Sequence, residues 1–523
     1  MTKLRDVNTT DIAGAIRLGC RTMSSVFNAD DDHIPFFGSQ VWPEARLSWS
    51  AHHSESHIPG RHLNALLNAE DALGLTLDEE AVERHARAAF LSYSGPIAVP
   101  LSREAPGGPL VNFCPHNVRE GFHALYALVA YRNSERAREL AERSIDAIFD
   151  LWDVEHGWDL ERLQKMGLQY QPCQSFIHGL ARTIGPLVKY FRTTGYGPAL
   201  ELALVLAEKA LPAYPVDGSF DPEKMGTTHG HSITSVLSSL AQLAEVLPGR
   251  GLMERVGAFY DRGLWAVRDE LGWSPESSIQ EDTDHGEGNN TGDILETGLI
   301  LAAGGESGRY QDVERILRGH LLPAQLCDIS FIEESPNPEG IDGLRDVADR
   351  HRGSFGFPAP YGHKSTGAGR GRGISFNMDI VGGVIASLCE AWRAGVRKDE
   401  RGVFVNLLFD RERDAVEVES PYTHEVLQVT AKREEALWVR LPEWVDRDRL
   451  EVEGYDGEVR FCEGYAFLAR PTAGRPIRFA FPLVEQEIDL SHAARPIRTR
   501  LRGDAVAAME NFGADLTFFE PIG

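Results

Sequence analysis

The densest group of acidic side chains in the sequence lies in the stretch 279-IQEDTDHGEGNNTGDILETG-298. Six carboxylates, one histidine and two asparagines fall between Glu281 and Glu296. Paired carboxyl groups can act as a general acid and a general base, and carboxylates with a histidine can also hold a metal ion. The plainer alternative is a solvated turn ahead of a helix, where carboxylates are favourable in any case. We predict that this stretch lines an active site. Its candidate substrate ligands are Asp284, His285, Glu287 and Asn290.

Polar side chains, mostly histidines, recur just ahead of other helical segments. The stretch 226-GTTHGHSI is the clearest case, and 52-HHSESH-57 is another. Each histidine could instead be a satisfied structural residue, and His-x-His is a weak metal signal, but neither stretch has the HExxH spacing of a zinc helix. We therefore predict a substrate site without a metal or cofactor. The candidate ligands from these loops are His53, Glu55, His116, Gln174, His178, His229 and His231.

The segments between these loops read as helical hairpins. Each is an apolar helix, a short turn and a second helix, with copies near 61–93, 121–152, 178–211, 231–267 and 293–322. Such hairpins must stack to bury their apolar faces, either as an open solenoid or as a closed ring. The connecting loops are long and rich in glycine and proline, and long loops in compact domains are usually functional. Five of them at equivalent points predict a closed (α/α) barrel with a cleft at the loop end.

After about residue 400 the apolar period changes from helical to alternating. Eight short strands follow between residues 403 and 483, separated by turn residues. This pattern is typical of a β-sandwich. We predict a mainly helical barrel domain at 1–400 and a β-sandwich accessory domain at 401–523, whose last residues, 510–523, form a strapping segment.

Charge and composition exclude some classes of protein. The formal net charge of −25 argues against sequence-independent binding to nucleic acid or to anionic membranes, because both need a basic face. No apolar run is long enough to span a bilayer or to form a signal-peptide core. The six cysteines form no CxxC motif, so most are expected to be buried hydrophobes. We expect a soluble, cytoplasmic protein, for which a homodimer is compatible with the sequence.

Several stretches resemble the β-L-arabinofuranosidase family of glycoside hydrolases. They follow the family's order across roughly residues 120–490, which is most of the chain. The resemblance implies an (α/α)6 barrel, β-sandwich accessory domains and hydrolysis of glycosidic bonds. The matching stretches are 229-HGHSI, 290-NTGDILETG, 310-YQDVERILRGHLLPAQL, 403-VFVNLLFDRERDAVEVESPY and 438-WVRLPEWV.

The resemblance breaks down at the family's metal site. The family binds zinc through a glutamate and three cysteines, one of which is the nucleophile. Glu296 matches the glutamate, but Gly298 stands where the first cysteine is expected, and 375-SFNMDIVGG-383 contains neither of the other two. Glycine and phenylalanine cannot replace thiolate ligands, so the zinc and cysteine chemistry does not carry over.

Glycoside hydrolysis otherwise uses two carboxyl groups. Glu281 and Asp282 lie where the resemblance places the family's general acid. Glu296, expected at the start of a helix facing the loop, is one candidate base or nucleophile. Asp379 is the other, because a lone carboxylate in an apolar stretch is costly to bury without a role. Asn377, beside it, is a candidate substrate ligand.

We therefore predict a metal-independent glycoside hydrolase acting on a terminal sugar. Two alternatives remain open. One is a polysaccharide lyase or sugar epimerase that uses His229, His231 or a tyrosine as base. The other is a sugar-binding protein without catalysis.

Overall fold

The structure is a computed structural model that describes residues 3–249, 251–278, 284–366, 373–492 and 495–522. The helices are α1 (Ile12–Met23), α2 (Ile58–Leu73), α3 (Glu79–Ser92), α4 (Val118–Arg132), α5 (Glu135–Leu151), α6 (Leu160–Lys165), α7 (Ile184–Thr194), α8 (Gly197–Ala210), α9 (Pro222–Met225), α10 (Gly230–Val246), α11 (Leu252–Asp261), α12 (Gly288–Ala303), α13 (Arg309–Ile316), α14 (Val347–His351) and α15 (Met378–Gly395).

The strands before residue 400 are short. They are β1 (Phe27–Asn28), β2 (Ile34–Pro35), β3 (Gly38–Gln40), β4 (Arg46–Ser48), β5 (Leu101–Arg103), β6 (Leu110–Phe113), β7 (Trp152–Asp153), β8 (Gly157–Trp158), β9 (Gln169–Tyr170) and β10 (Val396–Asp399). The later strands are β11 (Gly402–Val405), β12 (Arg411–Glu412), β13 (Val416–Glu419), β14 (Leu427–Ala431), β15 (Leu437–Arg440), β16 (Glu451–Glu453), β17 (Arg460–Cys462), β18 (Tyr465–Leu468), β19 (Pro476–Ala480), β20 (Glu485–Leu490), β21 (Ile497–Arg502), β22 (Ala505–Met509) and β23 (Glu520–Pro521).

Six helices form an inner ring. In order of contact these are α2, α4, α7, α10, α12 and α15, and α15 packs back against α2. A helix inside such a ring is covered on all sides, which is why α10 is buried at every position from Gly230 to Ala244. All six begin at one end of the ring, where the loops before them meet, and finish at the other.

An outer layer of helices packs against this ring. Each of α3, α5, α8, α11 and α13 follows its inner helix and contacts it, as the hairpin repeats predict. Outer helices are buried on one face only: α5 buries residues at helical spacing from Ala137 to Leu151, and the Ser134 side chain accepts from the Ala137 amide to cap it. The sixth inner helix, α15, is paired with α1 from the other end of the chain.

Two five-stranded sheets follow the helices. Their strand orders are β10-β11-β15-β18-β17 and β12-β13-β14-β19-β16. Alternate side chains of both sheets point inward and form one apolar cluster that includes Val405, Val429, Val439 and Phe479. All eight strands predicted between residues 403 and 483 are present, as β11 and β13 to β19. The prediction of a mainly helical chain with a C-terminal sheet region is confirmed.

The last sheet belongs to the helical part of the molecule. Strands β20 to β23 form a separate four-stranded sheet. Its buried residues, among them Leu490, Leu501 and Met509, lie in the same core as the helices. The sequence did not separate this sheet from the others because β20 to β22 show the same alternation of apolar and polar residues.

Among the helices that the structure describes, none combines the length and the apolar character needed to cross a membrane.

Candidate active site

A cavity of about 350 Å³ lies at the end of the ring where all six inner helices begin. The loop before each inner helix contributes to it. The lining residues are mostly histidine, carboxylate and aromatic: Phe37, His52, His53, His57, Cys114, His116, Gln171, Pro172, Cys173, His178, His229, His231, Glu276, Glu287, Phe357, Asn377, Asp379 and Ile380.

The histidines of the cavity pack against one another. The ring of His57 stacks on that of His116 at 5.7 Å, and His178 and His229 follow at 4.9 and 5.6 Å from His116. Burial lowers the pKa of His53 to about 3 and that of His178 to about 4, and it holds the pKa of His116, His229 and His231 well below the usual value. These five side chains are therefore neutral near pH 7 and offer one donor and one acceptor each.

Two carboxylates face the cavity and share a hydrogen-bond donor. The Asn289 side-chain nitrogen donates to Glu287 Oε1 at 2.9 Å and to Asp379 Oδ2 at 3.4 Å. Glu287 is the residue directly before α12, and Asp379 lies in the first turn of α15, so neighbouring inner helices position the pair. Gly383 makes the arrangement possible, because a Cβ there would lie 2.0 Å from Asn289 Oδ1.

The two carboxyl groups differ in their surroundings. Burial raises the pKa of Glu287 to about 8, and the nearby charge of Asp379 adds to the effect. Burial acts in the same direction on Asp379, but the hydrogen bond and charge of His57, 3.4 Å away, outweigh it and lower the pKa of Asp379 below its ordinary value. Glu287 therefore holds a proton at neutral pH while Asp379 is ionised.

A buried ion cluster lies beneath the cavity. Glu120 contacts Arg61 at 3.1 Å, Arg119 at 2.9 Å and Arg182 at 2.8 Å. Burial alone would raise the pKa of Glu120, but the guanidinium charges hold it well below its ordinary value. The cluster joins α2, α4 and the 3-10 turn that leads into α7, and it supports the cavity from below.

Three lining residues lie close enough together to be tested as metal ligands. The nearest donor atoms of His229, His231 and Glu287 all lie within 4.8 Å of one another. However, both ring nitrogens of His231 contact guanidinium groups, Arg61 Nη2 at 3.1 Å and Arg182 Nη2 at 3.3 Å. Because a bound cation would face these two charges, we assign no metal here, and Glu287 fits better as a protonated acid.

Eight of the sequence-predicted residues line this cavity: His53, His116, His178, His229, His231, Glu287, Asn377 and Asp379. Glu281 and Asp282, the predicted acids, lie outside the described residues. Five other predicted ligands are not among the lining residues. Glu55 pairs with Arg103 at 2.6 Å, Gln174 accepts from Thr227 at 2.6 Å, Asn290 donates to the Pro275 carbonyl at 2.9 Å, His285 pairs with Glu276 at 3.0 Å, and Asp284 is bound by Arg495 at 2.9 Å.

Glu296 lies far from this cavity. We expected it at the start of a helix, but α12 begins at Gly288, so Glu296 falls in its third turn. It lines a second cavity, of about 440 Å³, at the end where the inner helices finish. There it accepts from Ser238 at 2.7 Å and Gln242 at 3.2 Å and pairs with Lys189 at 3.6 Å.

No protein-family model and no curated protein sequence matches the chain. Solved structures do match it. A GH127 β-L-arabinofuranosidase from Geobacillus stearothermophilus T6 has a TM-score of 0.54 at 13% identity, covering 94% of this chain and 80% of that chain. A GH127 β-arabinofuranosidase has a TM-score of 0.58 at 12% identity, covering 96% and 83%. The chain shares the GH127 fold. This confirms the resemblance that the sequence motifs indicated.

The zinc site that the GH127 resemblance implies does not fit the residues present. A side chain at Gly298 would meet the Tyr260 hydroxyl at 2.8 Å, so this position packs against an outer helix and has no room for a ligand. Glu296 opens to the other end of the ring. Two thiols do line the cavity: the hydrogen bond from Cys173 lowers the pKa of Cys114. They lie in loops unrelated to the GH127 cysteine positions, and we derive no step through zinc.

Sequence reasoning missed several residues at the cavity, among them the lining residues His57, Phe37 and Phe357, and Asn289, which bridges the two carboxylates. His57 is the last histidine of the stretch 52-HHSESH-57 but was not among the predicted ligands. Asn289 is adjacent to the predicted ligand Asn290. The aromatic walls, Phe37 and Phe357, carried no signal. The Phe37 ring packs at a tilt against that of His53, with centres 4.4 Å apart, and Phe357 stacks on His285 at 4.9 Å.

Proposed function

We propose that the protein is a glycoside hydrolase that removes a terminal sugar by carboxylate acid/base catalysis, in an (α/α)6 barrel followed by a β-sandwich. The observation that carries the proposal is the pair Glu287 and Asp379, bridged by Asn289 at 2.9 and 3.4 Å in one cavity. Glycoside hydrolysis needs one protonated and one ionised carboxyl group flanking the scissile bond. The surroundings of this pair provide that difference.

Each carboxyl group has one role in the proposed reaction. Glu287 donates its proton to the glycosidic oxygen as the bond to the anomeric carbon breaks, so the leaving group departs as an alcohol. Asp379 bonds to the anomeric carbon in the same step, and water then displaces it while Glu287 takes the water proton. Asn289 donates a hydrogen bond to the Asp379 carboxylate, and His57 Nε2 lies 3.4 Å from it.

The cavity wall suits a small, polar and uncharged ligand. Its neutral histidines can donate to and accept from hydroxyl groups, and Phe37 and Phe357 offer apolar ring faces. At about 350 Å³ the cavity is near the lower end of the range for small-molecule sites, which supports a terminal sugar rather than a buried chain.

The test is turnover of a panel of aryl glycosides by wild type, Glu287→Gln, Asp379→Asn and Glu296→Gln, each with and without a chelator. We expect Asp379→Asn to lose about 10²–10⁴-fold in kcat on every substrate of the panel, and Glu287→Gln to lose as much only on the glycosides with poor leaving groups. Glu296→Gln is the matched control on the same helix and should keep near wild-type activity. Full activity in both cavity variants would overturn the assignment, and loss of activity with chelator would show that a metal had been missed.

A second candidate is a lyase or epimerase with a histidine base. The neutral rings of His116, His178 and His229 favour it, because a neutral imidazole can accept a proton. Against it, the described lining residues include neither lysine nor arginine to neutralise a uronate. An unsaturated, ultraviolet-absorbing product from a uronide substrate would favour the lyase.

A further inference from the structure

Asp284 is a buried carboxylate on which three segments of the chain meet. It is 1% exposed. Arg495 Nη2 donates to it at 2.9 Å, Thr366 Oγ1 at 3.2 Å, and the Tyr361 hydroxyl also donates to it. His492 Nε2 lies 3.3 Å away. Asp284 is not among the described lining residues of the cavity. Asp284 and its partners therefore support the cavity from outside its lining.

Two of these partners come from the end of the chain. His492 and Arg495 lie between β20 and β21. These are two strands of the last sheet, which packs in the helical core. The Arg495 guanidinium sits 3.4 Å from the centre of the Phe512 ring, and the His492 ring lies 4.7 Å from that of Trp273. Phe512 thus holds Arg495 from within the C-terminal segment, and Trp273 holds His492 from the loop that precedes α12.

The other partners lie on a segment that holds the backbone around Glu287. The amide of Gly286 donates to the Pro358 carbonyl at 3.0 Å, and that of Gly288 to the Gly356 carbonyl at 3.0 Å. These bonds flank Glu287 on both sides. The same segment supplies Phe357 to the cavity wall, and Tyr361 and Thr366 at its far end donate hydrogen bonds to Asp284. A displacement of Asp284 would therefore reach Glu287 through the hydrogen bonds of Gly286 and Gly288 to this segment.

We propose that Asp284, held by Arg495, is a positioning residue for Glu287, and that the C-terminal segment thereby completes the active site. This inference rests on the proposed function. Removing Arg495 leaves a buried carboxylate without its counter-charge, and the loop must move or take up a proton to relieve it. A displacement of about 1 Å at a reacting group can lower the rate about 10²-fold. We therefore expect the rate to fall although the Glu287 side chain is still present.

The test compares Arg495→Ala, Arg495→Lys and Asp284→Asn with a matched control, Arg475→Ala. Arg475 also pairs with an aspartate, Asp456, but on the surface of the five-stranded sheets. We expect Arg495→Ala to lower kcat by about 10–100-fold with little change in KM, and to move the basic limb of the pH–rate profile. Arg495→Lys should restore part of the rate. An unchanged kcat and pH profile in Arg495→Ala would overturn the proposal.

A second measurement keeps this result separate from the fate of the proposed function. Hydrogen exchange at the amides of Gly286, Glu287 and Gly288 reports the loop directly, whether or not any glycoside is cleaved. Faster exchange there in Arg495→Ala, but not in Arg475→Ala, supports the anchor even if the wild type proves inactive. Exchange equal to wild type in Arg495→Ala refutes it, even if the protein is a glycosidase.

Discussion

Glu287 and Glu296 belong to one helix and open onto opposite ends of the ring. Glu287 directly precedes the first residue of α12, and Glu296 lies nine residues further on. At 1.5 Å per residue this is about 13 Å along the helix axis. Glu287 faces the histidine-lined cavity and Glu296 faces the second cavity. Two carboxylates that look equivalent in sequence therefore cannot act on the same substrate.

The proposed role of Glu287 as the general acid predicts that the effect of its removal depends on the leaving group. In Glu287→Gln the leaving oxygen departs without a proton, so the loss should be large for poor leaving groups such as alkoxides and small for acidic phenols. We expect a kcat loss of about 10³-fold with the former and less than about 10-fold with the latter. Measured rates against leaving-group pKa give the slope. An equal loss across the series would assign the acid elsewhere.

The pair predicts a broad pH profile. Activity needs Glu287 protonated, so it should fall as pH rises through its pKa of about 8. It also needs Asp379 ionised, so it should fall only below the usual aspartate range, because the pKa of Asp379 is lowered. The two limbs belong to the coupled pair. A profile of kcat/KM against pH with its basic limb near 5 would contradict this.

Glu287 should lower the stability of the folded protein at high pH. Between the ordinary value of 4.5 and the raised pKa of about 8, the native state holds a proton that the unfolded chain has released. The free energy of unfolding therefore falls as pH rises across this window. We expect Glu287→Gln to be more stable than wild type by about 2–4 kcal/mol at pH 8, and to differ little at pH 4. Urea unfolding at both values measures it, with pH 4 as internal control.

The separation of the two carboxylates predicts the stereochemical outcome. One amide nitrogen contacts both, which holds their oxygens closer than the roughly 6.5–9.5 Å typical of inverting enzymes. We expect retention of anomeric configuration, seen by proton NMR as the first-formed anomer. Inversion would instead make Asp379 a base that activates a water molecule.

Gly383 should be necessary for activity although it contacts no substrate. A methyl group there would overlap Asn289 Oδ1, at 2.0 Å, and Arg61 Nη1, at 2.6 Å. We expect Gly383→Ala to displace Asn289 and to lower kcat by at least 10-fold, with both carboxylates still present. Gly197→Ala, in the first turn of α8 at a site with nothing within 4 Å, is the control for a change of a helical glycine as such. Wild-type activity in Gly383→Ala would show that the Asn289 bridge is dispensable.

Local pattern was sufficient for most of the architecture. Helical hairpins were predictable because a helix that packs on one face must repeat apolar residues every three or four positions, as α5 does from Ala137 to Leu151. The strands from β13 to β19 were predictable for the same reason with a period of two. The polar residues at helix starts, such as His116 and His229, were also predictable, because they stand out from the apolar sequence around them.

Tertiary structure alone decided which of these residues work together. The Asn289 bridge joins positions 90 residues apart, and the pair α1–α15 joins the two ends of the helical part. The local sequence pattern does not show which residues come close in space. Glu287 and Glu296 are of the same type and lie in the same stretch, so the pattern does not distinguish them. Their roles follow from the start of α12 at Gly288, which is set by packing against Gly356 and α15, and from the direction in which each side chain opens.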